Sequence, residues 1–177
     1  MQAIIFLIDA VISFFCTLFL LRFMMQAMRV SFAGQPGNFV VALTNWAVKP
    51  LRRIIPGIGG LDWSSVFAAF ALQLMLTGIV VVLSGRVSEL DPLGLAPMIL
   101  WFALRGLLRI AVYIMIAALI LQAVLSWINP YSPIAAPAQQ LTRPILDPIR
   151  RLVPLIGGVD LSPLVAILLL QVVLMLL

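Results

Sequence analysis

The chain has 177 residues, 64% of them hydrophobic and 10% charged, with 11 Lys and Arg against 6 Asp and Glu. Soluble domains carry roughly 25% charged residues, so the composition excludes an ordinary water-soluble domain and predicts an all-α membrane protein. With no histidine and a single cysteine, Cys16, the chain has no internal disulfide and no Ser-His or Cys-His nucleophile pair. It also lacks the commonest ligand of zinc, haem and copper, so neither an enzyme, a metal nor a cofactor is expected. The net charge of +5 resides in short basic clusters beside apolar segments, where anionic lipid headgroups rather than nucleic acid are the expected partner.

Met1 to Asp9 contains no Lys or Arg and the apolar run continues to Met28, so the start reads as a permanent span rather than a cleaved signal. About 20 apolar residues cross a bilayer core, and four stretches approach that length: 4–28, 64–83, 108–128 and 161–177. A weaker apolar segment, 95–107, precedes the third and is read either as its continuation or as a separate interfacial helix. The basic residues Arg22, Arg29, Lys49, Arg52, Arg53, Arg143, Arg150 and Arg151 fall on one side of a four-span arrangement. The positive-inside rule places those loops in the cytoplasm of an inner-membrane protein and both chain ends outside.

Residues 43–73 align with 141–171 at a constant offset of 98 without a gap, with 14 of 31 positions identical. The best stretch sets Arg52-Arg53-Ile54-Ile55-Pro56-Gly57-Ile58-Gly59-Gly60-Leu61-Asp62-Trp63-Ser64 against Arg150-Arg151-Leu152-Val153-Pro154-Leu155-Ile156-Gly157-Gly158-Val159-Asp160-Leu161-Ser162. The predicted domains are therefore a first repeat over 1–84, a connection over 85–94 and a second repeat over 95–177. An even number of spans per repeat makes the two parallel in the membrane.

Within each repeat, polar and basic residues at helical spacing predict a short interfacial helix, with Pro50 and Pro148 kinking or beginning it. Paired glycines then reverse the chain into the next span, whose start Asp62 or Ser64, and Asp160 or Ser162, would cap. Ser162 followed by Pro163 is a good cap and first-turn pair. The same glycines could instead expose backbone groups to a cation or a lipid phosphate. Gln73 and Gln171, 11 residues past the aspartates, fall about 16 Å into their spans. They bond between helices or line a polar path. Gln26 and Gln122 are expected deep in the first and third spans, able to join either arrangement. Asp9 is expected to face water or an arginine such as Arg109.

The duplicated Pro-(Leu/Ile)-Arg-Arg and Ile-Gly-Gly-(Leu/Val)-Asp-x-Ser elements, each after a hydrophobic helix, resemble the signature of the YggT family, also called YlmG, of bacteria and plastids. The resemblance covers essentially the whole chain. It implies an integral membrane protein with suggested roles in osmotic stress and cation homeostasis, in cell division or envelope organisation, and in membrane-complex assembly. Two readings follow. One is a non-enzymatic scaffold or assembly factor that works as a homo-oligomer or with a membrane-protein partner. The other is a potassium or sodium channel or transport component.

Overall fold

A run of apolar residues with no charge to solvate folds as a helix in lipid because only that conformation pairs every backbone group within the segment. The structure, a computed structural model, describes residues 2–57, 59–84, 92–153 and 160–177, and among them all regular structure longer than a turn is helical. The order is α1 (Gln2–Ala27), α2 (Gln35–Leu51), α3 (Trp63–Leu83), α4 (Pro92–Ile128), α5 (Ala135–Arg150) and α6 (Ser162–Leu176).

Three of these, α1, α3 and α4, are long and apolar enough to cross a bilayer. The fourth expected span, α6, has 15 residues, about 22 Å of helix against a core of about 30 Å. Residues 95–107 are not a separate interfacial element. They continue a 37-residue helix through Pro97, about 55 Å long, and residues 92–94, assigned to the connection from sequence, already belong to it.

α2 and α5 are the amphipathic pair. In α2 the buried residues are Gly37, Val40, Thr44 and Val48, and in α5 they are Ala138, Leu141, Thr142 and Leu146. The stripe repeats every three or four residues, as one helix face requires, and three of its positions coincide at the offset of 98. Pro50 and Pro148 neither begin nor break these helices. Each lies inside, close to the C-terminal end, where few backbone bonds remain to be lost.

Each half packs as a trio: α1 with α2 and α3, and α4 with α5 and α6, with α2 against α3 and α5 against α6. The halves meet through α1–α4 and α3–α4, with a smaller α1–α5 contact. Their join differs in one respect. Helix α3 lies against both α1 and α4, whereas α6 lies against α4 and α5 and makes no comparable contact with α1. The main core contains Leu18, Phe19 and Met25 of α1, Val40 and Val48 of α2, Ala69 of α3 and Ile114, Met115 and Ala118 of α4.

The chain leaves α1 through a left-handed residue. Arg29 has φ +56°, the N–H of Arg29 donates to the carbonyl of Gln26, and that of Val30 donates to the carbonyl of Met25. That is the Schellman pattern, which usually places glycine at this position. Val30 and Met25, both buried in the same core, provide the apolar contact that accompanies it.

Candidate functional site: a buried ionic cluster beneath the first basic helix

Arg22 sits one turn from the end of α1, Arg52 just past α2 and Asp62 at the start of α3, so the cluster ties three elements together. Asp62 is 1% exposed and Arg22 is 6% exposed, with the Arg22 Nε 3.3 Å from the carboxylate. Arg52 donates to both carboxylate oxygens, from Nε at 3.2 Å and Nη2 at 2.6 Å. The Ser65 hydroxyl adds a third donor group at 2.9 Å. The outer nitrogen of Arg22 donates to the hydroxyl of Thr44 at 2.6 Å and to the Asn45 amide oxygen at 3.1 Å, and Thr44 passes its own proton to the Val40 carbonyl at 2.6 Å. A buried ion pair persists only when its remaining donors and acceptors find partners, and here they do.

Burial alone would raise the Asp62 carboxyl, but the hydrogen bonds from Arg52 and Ser65 and the two guanidinium charges hold it below the ordinary carboxylate range. For Arg52, the bond to Asp62 raises an already basic group.

The second half carries a neutral version of this cluster. Gln122 of α4 stands where Arg22 stands in α1, and it accepts a short hydrogen bond from Thr142, the counterpart of Thr44. Asp160 keeps only the equivalent arginine, with Arg150 Nε at 2.9 Å, and is 31% exposed. Its free oxygen accepts the backbone N–H of Ser162 at 2.9 Å. Desolvation raises its carboxyl and the bonds from Ser162 and Arg150 more than reverse that. Loss of the buried arginine is thus matched by exposure of its carboxylate, as the cost of an uncompensated buried charge demands.

The expected caps divide between the two copies. Asp62 occupies the cap position of α3 without a side-chain bond to the helix backbone, because its oxygens serve the arginines and Ser65. Ser64 donates to the carbonyl of Ile55 at 2.7 Å and so fastens the loop rather than the helix. In the second copy the cap position is Leu161 and Ser162 is the first helical residue, so the predicted Ser162–Pro163 cap pair is shifted by one. Arg53 and Arg151, which follow α2 and α5, are both exposed. Gly59 and Gly60 have φ of +67° and +77° with open space where a Cβ would lie. Backbone conformation rather than crowding therefore demands glycine there. The carbonyl of Gly60 accepts from the Gln26 amide at 2.8 Å. Gly157 and Gly158 lie outside the described residues.

The glutamines do not assemble as a set. Gln73 is buried, close against Gly106 of α4, where an added Cβ would meet the end of its side chain. Its oxygen lies 3.8 Å from the sulfur of Cys16. Gln171 is exposed on α6 and lines a recess with Arg105 and Arg109. Gln26 and Gln122, expected deep in their spans, sit instead at the basic end, bonded to Gly60 and Thr142. Asp9 accepts from Ser13 one turn along at 3.4 Å, and Arg109 points to α6. From sequence Arg22 reads only as a topology signal and Thr44 does not stand out. The identical threonines at positions 44 and 142 were the available clue.

Between the halves lies a cavity of about 640 Å³, lined by Ser13, Thr17 and Leu21 of α1, Tyr113, Ala117 and Leu121 of α4, and Pro36, Val40, Ile134 and Ala138 of the amphipathic helices. Both halves contribute to the lining. The lining is mostly apolar.

An all-α protein with several bilayer-length helices, two amphipathic ones and a polar cluster used in packing is the class these features define. A family model described as CCB3/YggT matches residues 1–83 and 101–177. The chain is 35% identical over 174 residues to the uncharacterized protein YggT of Escherichia coli K12, covering 98% of this chain and 88% of that protein. It is 33% identical over 166 residues, 93% of this chain and 88% of the relative, to an uncharacterized protein from the proC 3′ region of Vibrio alginolyticus. An uncharacterized protein of Pseudomonas aeruginosa is 34% identical over 173 residues, 97% of this chain and 86% of its own length. The chain belongs to the CCB3/YggT family. No solved structure matches it.

Proposed function

We propose that the protein is a non-enzymatic membrane scaffold or assembly factor, built as two parallel two-span repeats whose basic helices lie in the cytoplasmic headgroup layer of the inner membrane. The observation that carries this reading is the commitment of buried polar side chains such as Arg22, Asp62 and Gln73 to holding helices together. Asp62 is saturated by Arg22, Arg52 and Ser65, and Gln73 is packed between α1 and α4. Aqueous paths need a continuous polar lining, and the cavity between the halves is mostly apolar. Exposed apolar residues such as Phe6 and Leu7 on α1 and Leu168 and Val172 on α6 leave extensive surface for lipid or for a partner's helices. A role in envelope organisation or in the osmotic-stress response fits such a surface.

The test is ion flux. Purified protein in liposomes is expected to pass potassium and sodium no faster than protein-free vesicles under an imposed gradient. A protein-dependent, ion-selective flux would overturn the scaffold reading in favour of a channel.

A further inference from the structure

Arg105 and Arg109 are the only charged residues in the 37-residue helix α4, and they lie one turn apart on the same face. Like charges at that spacing repel, and in a bilayer-length helix each also bears a desolvation cost. They line a recess of about 440 Å³ with Gln171, Leu174 and Met175 of α6. Among the described residues no carboxylate lies within ion-pair distance of either. Snorkelling to water does not resolve the matter, because the Nε of Arg105 is buried without a hydrogen-bond partner.

Among the described residues the first half has no such arginine pair. At the register that pairs Arg22 with Gln122, the positions matching Arg105 and Arg109 in α1 are Ile5 and Asp9, and Gln73, counterpart of Gln171, is buried against Gly106. The recess therefore belongs to the second half, beside the helix that makes no contact with α1 comparable to that of α3.

Depth identifies the ligand. Trp101 and Trp127 are both exposed and lie 26 residues apart on α4, about 39 Å, near the thickness of a bilayer with its headgroup layers. Taking them as the two interfaces, Arg105 is about 6 Å and Arg109 about 12 Å inside the interface remote from α5. Arg105 thus lies at the inner edge of that headgroup layer and Arg109 in the outer hydrocarbon, from which long arginine side chains rise to the lipid phosphates. Beside the recess, Leu168, Val172 and Met175 of α6 are exposed and give an acyl chain an apolar track.

We propose that Arg105, Arg109 and Gln171 form a binding site for the phosphate of an anionic glycerophospholipid in the leaflet remote from the basic helices. The phosphate oxygens accept from both guanidinium groups and from the Gln171 amide, which relieves the repulsion and satisfies the orphaned Nε.

Trp101, one turn before Arg105, supplies a local reporter. In the full chain carrying Trp46→Phe, Trp63→Phe and Trp127→Phe, Trp101 fluorescence is measured in vesicles of brominated phosphatidylglycerol mixed with unbrominated phosphatidylcholine, and in the converse mixture. Preference for phosphatidylglycerol at this site is expected to be roughly tenfold, from two arginines near an anionic group. Arg105→Gln with Arg109→Gln should bring it close to one, and Gln171→Leu, which keeps both charges, should lower it about threefold. The second variant keeps the question open to test if the first inserts poorly. Equal quenching by the two lipids, or a preference unchanged in the inserted variants, would overturn the site. Relief of quenching when inorganic phosphate replaces chloride at equal ionic strength would overturn the lipid as its source.

Discussion

Asp62 and Asp160 occupy the same place in the repeated sequence and differ in what reaches them. Asp62 is 1% exposed between two arginines, and Asp160 is 31% exposed beside one. Asp62→Asn strands Arg22 in the interior, so it is expected to cost about 3 kcal/mol, whereas Asp160→Asn should cost less than about 1 kcal/mol. Thermal unfolding of the two variants in one detergent gives the comparison. Arg22→Gln, which copies the second half, should be milder than Asp62→Asn, since Asp62 keeps Arg52 and the amide can still meet Thr44. The pH dependence has a definite sign. A carboxyl held below its unfolded value contributes stability that is complete above about pH 4 and is lost as pH falls toward its folded value. The wild-type melting temperature should therefore be flat down to about pH 4 and then decline, more steeply than that of Asp62→Asn. Arg29 offers the opposite kind of change. A non-glycine residue in the left-handed region costs on the order of 1 kcal/mol, so Arg29→Gly should raise the melting temperature, by an amount trimmed by the extra entropy of the unfolded chain.

At the scale of elements, the two basic helices use their paired arginines for different ends. Arg52 and Arg150 are bonded to aspartates, while Arg53 and Arg151 are exposed. Arg53→Gln with Arg151→Gln should weaken association with anionic vesicles in a salt-dependent way, screening setting in beyond about 8 Å at physiological ionic strength, with little change in melting. Arg52→Gln with Arg150→Gln should do more to lower stability. Vesicle sedimentation at two salt concentrations, run beside thermal melts, separates the two effects. Helices α3 and α4 depend on Gly106 in a similar way. Gly106→Ala places a methyl on the end of the Gln73 side chain, which can swing aside only by giving up its place against Cys16, and should destabilise by less than about 1 kcal/mol. Combining it with Gln73→Ala should recover part of that loss, because the two changes share one contact.

For the whole molecule, the proposed parallel repeat is tested by accessibility from the two sides of the membrane. Single cysteines from Ser31→Cys and Gln140→Cys, both at exposed positions near the basic helices, should resist an impermeant thiol reagent in intact cells. Ser84→Cys, at the other end of α3, should react. Labelling in the reverse sense would invert the orientation, and labelling at only one of the two basic loops would rule out parallel halves. Cys16 does not interfere because it is buried.

How much of this was legible beforehand follows from the range of the forces involved. Apolar content, the offset of 98 and the run from Arg52 to Ser64 determined the all-α class with bilayer-length helices, the family and, in the first copy, the local order of helix, glycine turn and helix, since these depend on short-range backbone preference and on solvent. The pairing of Arg52 with Asp62 and of Arg150 with Asp160 was within reach for the same reason, each pair being 10 residues apart. Only the tertiary structure decided that Arg22 completes the first cluster, that Gln122 replaces it in the second, that Gln73 is buried while Gln171 faces Arg105 and Arg109, and that 95–107 continues α4. Each of those depends on which helix lies beside which. A repeat carries identical residues into both halves, but α3 has α4 on its far side and α6 has no equivalent neighbour, so the same side chain meets a different solvent.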